Sequence, residues 1–238
     1  LIEHQSRLFR IARDFHPDIM LNIGGTFIVH VSQLLNIPTV VFTDTEHAKL
    51  LNKITFPFAT ILCTPECYLD DLGDKQVRYK GYQELAYLHP NYYNPNHEVL
   101  EMAGLDNEEP FFVLRFVSWG ASHDAGHQGL SDTHKFVLID KLSQYGRVLI
   151  SSEADLPDDL STYQLKISPE HMHDILFFAD LYVGEGGTMA SEAAILGTPS
   201  IYSSTIRLGY LKELEEDYQL VNQISNNDDV ISEAISIA

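Results

Sequence analysis

Asp18-Ile-Met-Leu-Asn-Ile-Gly-Gly-Thr26 and Asp180-Leu-Tyr-Val-Gly-Glu-Gly-Gly-Thr188 are near-copies, one early in the chain and one late. Each sets a short apolar run before a Gly-Gly-Thr turn, and an apolar-rich stretch of helical length follows. The first stretch stops at Asn36 and meets Pro38; the second stops at Gly197 and meets Pro199. Strand, glycine turn, helix and strand are the grammar of a parallel α/β unit whose helix N-terminus faces a ligand at the carboxyl edge of the sheet. Two such units predict two similar domains.

Working outward from the first copy, the pattern predicts a strand over 19–23, a helix over 27–35, a strand over 39–42, a helix over about 46–53, and strands over 60–63 and 76–79. Residues 1–82 therefore form a first α/β domain. Residues 83–110 change character, with Pro90, Pro95, Pro110 and the acidic run Asp106-Asn-Glu-Glu109, and read as an interdomain connector. Residues 111–238 restart with a strand over 111–117 and a polar, Gly/His-rich loop. A helix over 133–145, a strand over 147–150, a short strand over 163–167 and a helix over 169–179 then lead into the second copy. Residues 202–211 read as a loop and 211–216 as a helix, and the C-terminus is weakly patterned. The chain opens inside an amphipathic helix (Leu1, Ile2, Leu8, Phe9, Ile11, Ala12), so a strand and loop are expected upstream, which makes the first domain partial.

A length of 238 residues with 45% hydrophobic side chains supports ordinary globular cores. Fifteen basic against 34 acidic side chains give a formal charge of −19, which repels nucleic-acid backbones and anionic membranes, so no nucleic-acid partner is expected. Any phosphate must be held by local donors. No run reaches the roughly 18 to 20 apolar residues of a membrane span, which leaves only peripheral membrane association open. No signal segment opens the sequence, and a cytoplasmic setting is expected. Cys63 and Cys67 lack the second pair that a structural zinc site needs.

The chemistry concentrates in Gly184-Glu-Gly-Gly-Thr-Met-Ala-Ser-Glu-Ala-Ala-Ile-Leu-Gly-Thr-Pro199. Gly186 and Gly187 can take positive φ and clear side chains from the turn, letting helix N–H groups approach a diphosphate. Thr188 and Ser191 add hydroxyl donors. Glu192, one turn beyond Thr188, is placed to accept hydrogen bonds from the vicinal hydroxyls of a ribose. Against this, Gly-Gly turns also close α/β units that bind nothing, and a first-turn Glu can simply favour the helix dipole. Under the same offset the first copy carries His30 where the second carries Glu192.

Two further groups and Arg207 stand at predicted strand ends, where α/β folds bind ligands, and His171 and His173 stand at the start of a predicted helix. In the loop after the 111–117 strand, Trp119 could stack on a base and Ser118 and His123 could meet phosphate. His123, Asp124, His127, Asp132 and His134 lack the fixed spacing of a metal site. Asp44, Glu46 and His47 could supply a base for an attacking hydroxyl, or Asp44 or Thr45 could cap the following helix. Arg207, His171 and His173 can be read either as ligand contacts or as ordinary polar positions.

The run from Gly186 to Pro199 resembles the donor-nucleotide motif of GT-B glycosyltransferases, especially the transferase that adds N-acetylglucosamine to the lipid-linked peptidoglycan precursor. It is also similar to that of the non-hydrolysing UDP-N-acetylglucosamine 2-epimerases. Over nearly the whole chain, Pro17 to Thr26, Phe42-Thr-Asp-Thr-Glu-His47, Lys80-Gly-Tyr-Gln-Glu-Leu-Ala-Tyr-Leu-His-Pro90 and Val117-Ser-Trp-Gly-Ala-Ser-His-Asp124 resemble the family catalogued as domain of unknown function 354. The resemblance implies two Rossmann-like domains facing a cleft, with donor binding through Gly186, Gly187, Thr188 and Glu192. It also implies an acceptor side formed by Gly24, Gly25, Thr26 and the Thr43–His47 loop. Two departures from the peptidoglycan enzyme stand out: Trp and His in the Ser118–Gly129 loop, and no glycine loop at the first strand.

The expected function is transfer of a sugar, from a donor such as a UDP-sugar, to an unknown sugar or lipid acceptor, as in surface polysaccharide or glycolipid synthesis. No obligatory metal or other cofactor is expected. The rivals are a nucleotide-sugar 2-epimerase and a non-catalytic nucleotide-sugar-binding protein.

Overall fold

The computed structural model describes residues 2–106, 109–116, 129–152 and 156–238. The chain divides into two units, one of Leu1–Gln83 with Leu208–Tyr210, the other of Glu84–Arg207 with Leu211–Ala238.

The first unit runs α1 (Ile2–Phe15), β1 (Met20–Ile23), α2 (Thr26–Leu35), β2 (Thr39–Phe42), α3 (Lys49–Thr55), β3 (Ile61–Pro65) and β4 (Gln76–Tyr79). Its four strands are parallel and lie in chain order, with Asn22 opposite Val41 and Leu62 opposite Gln76. Two small cores flank the sheet. Val29, Val41, Ala59 and Leu62 form one, and Ala12, Met20 and Val31 the other. α2 ends because Asn36 turns left-handed at φ 55 and its N–H returns to the carbonyls of Gln33 and Ser32.

α3 begins three residues later than the pattern predicts. The 43–47 segment is held as a loop, with Asn52 Nδ2 bonded to the Thr45 carbonyl and the Glu46 carboxylate turned inward. The N-cap is Ala48, which removes Asp44 and Thr45 from the capping role.

The second unit runs α4 (Leu85–Leu88), α5 (Glu98–Met102), β5 (Phe111–Arg115), α6 (Asp132–Leu142), β6 (Arg147–Ser151), α7 (Met172–Phe178), β7 (Leu181–Gly184), α8 (Gly187–Ile195), β8 (Ser200–Ser203), α9 (Gly209–Glu216, whose first two residues count with the first unit), β9 (Val221–Ile224) and α10 (Asn227–Ile237). Its five strands are parallel in the order β6-β5-β7-β8-β9. Phe112, Leu114, Val183, Ile201, Leu138 and Val230 belong to one continuous core. Residues 84–106, which read as a connector, carry α4 and α5 and count with this unit.

Two other expectations change. Instead of a strand over 163–167, Pro157 opens a 3-10 turn over Asp158–Tyr163 that is pinned by Ser161 Oγ to the Asp158 carbonyl, and Ile150 and Gln164 form only a single bridge. The weakly patterned C-terminus forms β9 and a helix capped by Asn226, whose side chain accepts the N–H groups of Asp228 and Asp229.

The two copies also superpose one residue out of step with their glycine match. α2 starts at Thr26 and α8 at Gly187, so Glu192 lines up with the buried Val31, and His30 with Ser191. The apparent Glu192–His30 pairing is therefore a product of the sequence offset. Asn36 and Pro38 against Gly197 and Pro199 keep the structural spacing.

Candidate functional site

In the second unit the chain goes from β5 to β6 on one side and then crosses to β7 on the other side of β5. The topological switch point, where open α/β sheets bind ligands, therefore lies between β5 and β7. At the carboxyl end of β7, residues 184–186 turn the chain into α8, and the turn is tied to β5 through Glu185 N–H donating to the Arg115 carbonyl at 3.2 Å.

The turn achieves its shape without the expected positive φ. Gly186 sits at φ −98 and ψ 126, and Gly187 is also outside the left-handed region. What glycine contributes at 186 is space, since among the described residues a Cβ there would meet nothing within 4 Å. Among the described residues no side chain caps α8, so its leading N–H groups have neither an intrahelical nor a capping partner there. Gly184 serves packing instead, because a Cβ there would lie 2.0 Å from the Tyr182 hydroxyl. That hydroxyl is fully buried and among the described residues lacks a hydrogen-bond partner, and burial pushes its phenol well above its ordinary value.

Glu185 faces away from the turn. Its Oε1 accepts the Leu130 N–H at 2.9 Å and lies 3.8 Å from Lys135 Nζ. A Cβ on Gly129 would come within 2.3 Å of the same oxygen. Thus the 129–130 end of the loop after β5 is clasped to the turn after β7.

Along α8, Thr188 is exposed in the first turn. Ser191 is fully buried, and its hydroxyl lies 2.5 Å from Glu84 Oε1 and 2.8 Å from the Thr188 carbonyl. It packs against α4 rather than facing the open turn, which corrects its expected part as a phosphate donor. Glu192 lies about one helical turn from the amides. Its Oε1 accepts the Tyr87 hydroxyl at 2.9 Å and pairs with His173 Nε2 at 3.1 Å, while among the described residues Oε2 has no partner. The Glu192 hydrogen bond raises the His173 imidazole above its ordinary value despite partial burial. Chemically, the arrangement offers an anion seat of amides with a hydroxyl acceptor one turn below.

In the first unit the corresponding turn is closed on itself. Gly24 takes φ +61, Gly25 N–H donates to Asn22 Oδ1 at 2.8 Å, Thr26 Oγ1 bonds Thr55 Oγ1 at 2.9 Å, and His30 Nε2 lies 3.0 Å from the Ile54 carbonyl.

In the loop after β2, Asp44 is partly buried, with Thr45 Oγ1 donating to its Oδ1 at 2.9 Å; burial outweighs that bond and raises its carboxyl. Glu46 is buried, and its Oε1 accepts the N–H groups of Leu69 and Gly209 at 3.2 and 3.3 Å. Its Oε2 is buried and among the described residues has no partner, and burial raises the carboxyl. Glu46 thus braces loops, whereas Asp44 is partly buried and His47 exposed.

Ser118, Trp119 and His123, with Asp124 and His127, lie outside the described residues. His134 sits in the first turn of α6, bonded to the capping Ser131 and 3.4 Å from Asp228. Arg207 lines a hollow of about 480 Å³ with Gln223, Asn226, Asp229 and Glu233.

Tyr87 and Glu84 are the residues that sequence reasoning left without a role. They stand in the Lys80–Pro90 stretch, whose Glu-x-x-Tyr spacing puts both on one helical face, but their partners lie about a hundred positions away. Among the described residues, no helix is long and apolar enough to cross a membrane.

Two parallel α/β units, the second wound about a switch point with a glycine turn and helix N-terminus, define a fold of the GT-B type. The chain belongs to the family described as Protein of unknown function (DUF354), whose model matches residues 1–236. It is 28% identical to the uncharacterized protein MJ0665 of Methanocaldococcus jannaschii over 207 residues, 82% of this chain and 59% of that protein. It is 26% identical to UDP-N-acetylglucosamine–N-acetylmuramyl-(pentapeptide) pyrophosphoryl-undecaprenol N-acetylglucosamine transferase of Leuconostoc mesenteroides subsp. mesenteroides, across 81% of this chain and 54% of that one. The chain thus spans less than two thirds of either relative. Among solved structures, Methanocaldococcus jannaschii UDP-GlcNAc 2-epimerase in complex with UDP-GlcNAc and UDP is similar in fold. The TM-score is 0.63 at 15% identity, with 98% of this chain and 72% of that one covered.

Proposed function

We propose that the second unit binds a nucleotide-diphosphate sugar and that the protein transfers the sugar to an acceptor hydroxyl. The observation that carries this is the α8 N-terminus at the β5/β7 switch point, which among the described residues has no side-chain cap, open space at Gly186 and an unpartnered Glu192 Oε2 one turn on. The diphosphate sits on the α8 amides and the ribose hydroxyls reach Glu192. The acceptor oxygen attacks the anomeric carbon, the bond from that carbon to the diphosphate oxygen breaks, and the departing charge is stabilised by the helix N-terminus. The acceptor's proton passes to a base, for which Asp44 is the candidate because burial makes its carboxylate more basic than usual. The 26% likeness to an N-acetylglucosamine transferase supports this reading. Epimerisation would use the same seat without an acceptor, and a binding protein would use it without turnover.

Calorimetric titration of UDP, GDP, CDP and dTDP and their sugar conjugates into the protein and Glu192→Ala tests the seat. One nucleotide class is expected to bind and to weaken by about 1.5 to 3 kcal/mol in the variant, the scale of a hydrogen bond to a charged group. Acceptor-dependent release of the diphosphate then separates transfer from epimerisation. If no nucleotide binds to the folded protein, the proposal falls.

A further inference from the structure

The segment that precedes β5 is fastened to α7 and α8 by three carboxylates. Glu84 meets Ser191, Glu192 meets Tyr87, and Asp174 accepts the Tyr93 hydroxyl at 2.8 Å and the Asn96 N–H at 3.0 Å. Tyr87 is thereby held over α8, and its ring lies 5.4 Å from that of His173. Both side chains converge on one oxygen of Glu192, which is itself only 8% exposed.

A carboxylate oxygen has two lone-pair sites. The Tyr87 hydroxyl and His173 Nε2 fill both sites on Oε1, so the acceptor capacity of Glu192 resides in Oε2. A carboxylate anchored at one oxygen cannot swing about its last torsion, which fixes the direction of the other. Two free sites on one fixed oxygen match two vicinal hydroxyls presented from one side. Without the anchors the group could rotate and relax around whichever hydroxyl remained.

Resting on the donor-site reading above, we infer that Tyr87 and His173 are positioning residues that make Glu192 selective for a ribose over a 2′-deoxyribose. They contribute nothing to the diphosphate seat, so their loss changes the discrimination between the two sugars more than affinity for the diphosphate.

The test is calorimetric binding of UDP, GDP, CDP and ADP and of their 2′-deoxy forms to the protein, Tyr87→Phe, His173→Gln and Glu192→Ala. For the preferred base, the unaltered protein is expected to bind the ribo form about tenfold tighter than the deoxy form, the worth of one hydrogen bond to a charged group. Tyr87→Phe and His173→Gln are each expected to compress that preference to within about threefold at unchanged affinity for the deoxy form, approaching Glu192→Ala. Preservation of the full preference in both variants overturns the inference and leaves the donor site standing. Equal losses for the ribo and deoxy forms also overturn it, because they mark residues that only hold the fold. If no diphosphate binds the unaltered protein, the donor-site reading falls and takes this one with it.

Discussion

Two glycines of the same turn predict opposite outcomes when each is replaced by alanine. At Gly186 the backbone is at φ −98 and, among the described residues, a Cβ meets nothing within 4 Å, so the fold accepts the methyl group. Alanine is a poorer N-cap than glycine by about 0.5 to 1 kcal/mol, while restricting the unfolded chain returns about 0.4 to 1 kcal/mol. The two nearly cancel, and a residual within ~1 kcal/mol moves the melting temperature by no more than about 2 to 4 °C in a chain of this size. The new methyl group projects into the space where a diphosphate approaches the α8 amides. Loss of one charge-assisted amide bond costs about 1.5 to 3 kcal/mol, which raises Kd roughly tenfold to a hundredfold. Gly184→Ala does the reverse. Its Cβ would overlap the Tyr182 hydroxyl at 2.0 Å in a central strand, an overpacking cost of about 1 to 3 kcal/mol that shows in the melt. Tyr182→Phe in the same chain removes the closest overlapping atom and restores part of that loss. The assay is thermal melting of each variant beside calorimetric titration of the nucleotide diphosphate that the unaltered protein prefers. A Gly186→Ala protein that melts normally and binds that nucleotide with undiminished affinity refutes the turn as a phosphate seat.

Ser191→Ala takes a donor from the buried Glu84 carboxylate and is expected to cost about 1 to 3 kcal/mol in urea denaturation, with nucleotide affinity unchanged. A loss of affinity without a loss of stability would return Ser191 to the ligand. Glu46→Ala leaves the Leu69 and Gly209 amides without their acceptor and is expected to destabilise by a similar ~1 to 3 kcal/mol for each amide that water cannot reach. Asp44→Asn keeps stability and donor binding but abolishes acceptor-dependent release, and full turnover in that variant would exclude Asp44 as the base. The His173 imidazole is raised above its ordinary 6.5, so its contribution to stability is fully present below that value and fades as pH rises through the folded-state pKa. The stability gap between the unaltered protein and His173→Gln should therefore be widest in mildly acidic buffer and narrow on the alkaline side. A gap that widens with pH contradicts the Glu192–His173 pairing.

The parallel α/β plan was legible because it rests on local signals: apolar runs, glycine turns, and the Asn36/Pro38 and Gly197/Pro199 stops. The same signals held the correct register, since the stops and prolines keep the structural spacing while the Gly-Gly-Thr match is shifted by one. Following the glycines gave Glu192 the wrong counterpart. Gly24 matched Gly186 in letters, yet only Gly24 uses positive φ. The local geometry of the second-unit turn, a strand end running into a helix that begins at Gly187, was legible because its signals lie within one short stretch. The packing of Ser191 was not legible, because the buried carboxylate that claims its hydroxyl lies far upstream in a segment that read as a linker. The C-terminal helix did announce itself in Asn226 followed by Asp228 and Asp229, a capping residue ahead of an acidic first turn. Its strand, only four residues with alternate burial, is too short for periodicity to decide.

Glu185 gives the turn a second output. Because its carboxylate holds the Leu130 amide and leaves no room for a side chain on Gly129, the turn cannot shift without pulling on the start of α6. A ligand that steadies the turn therefore slows opening at Leu130, and hydrogen exchange of that single amide becomes a readout of occupancy at a site it does not touch.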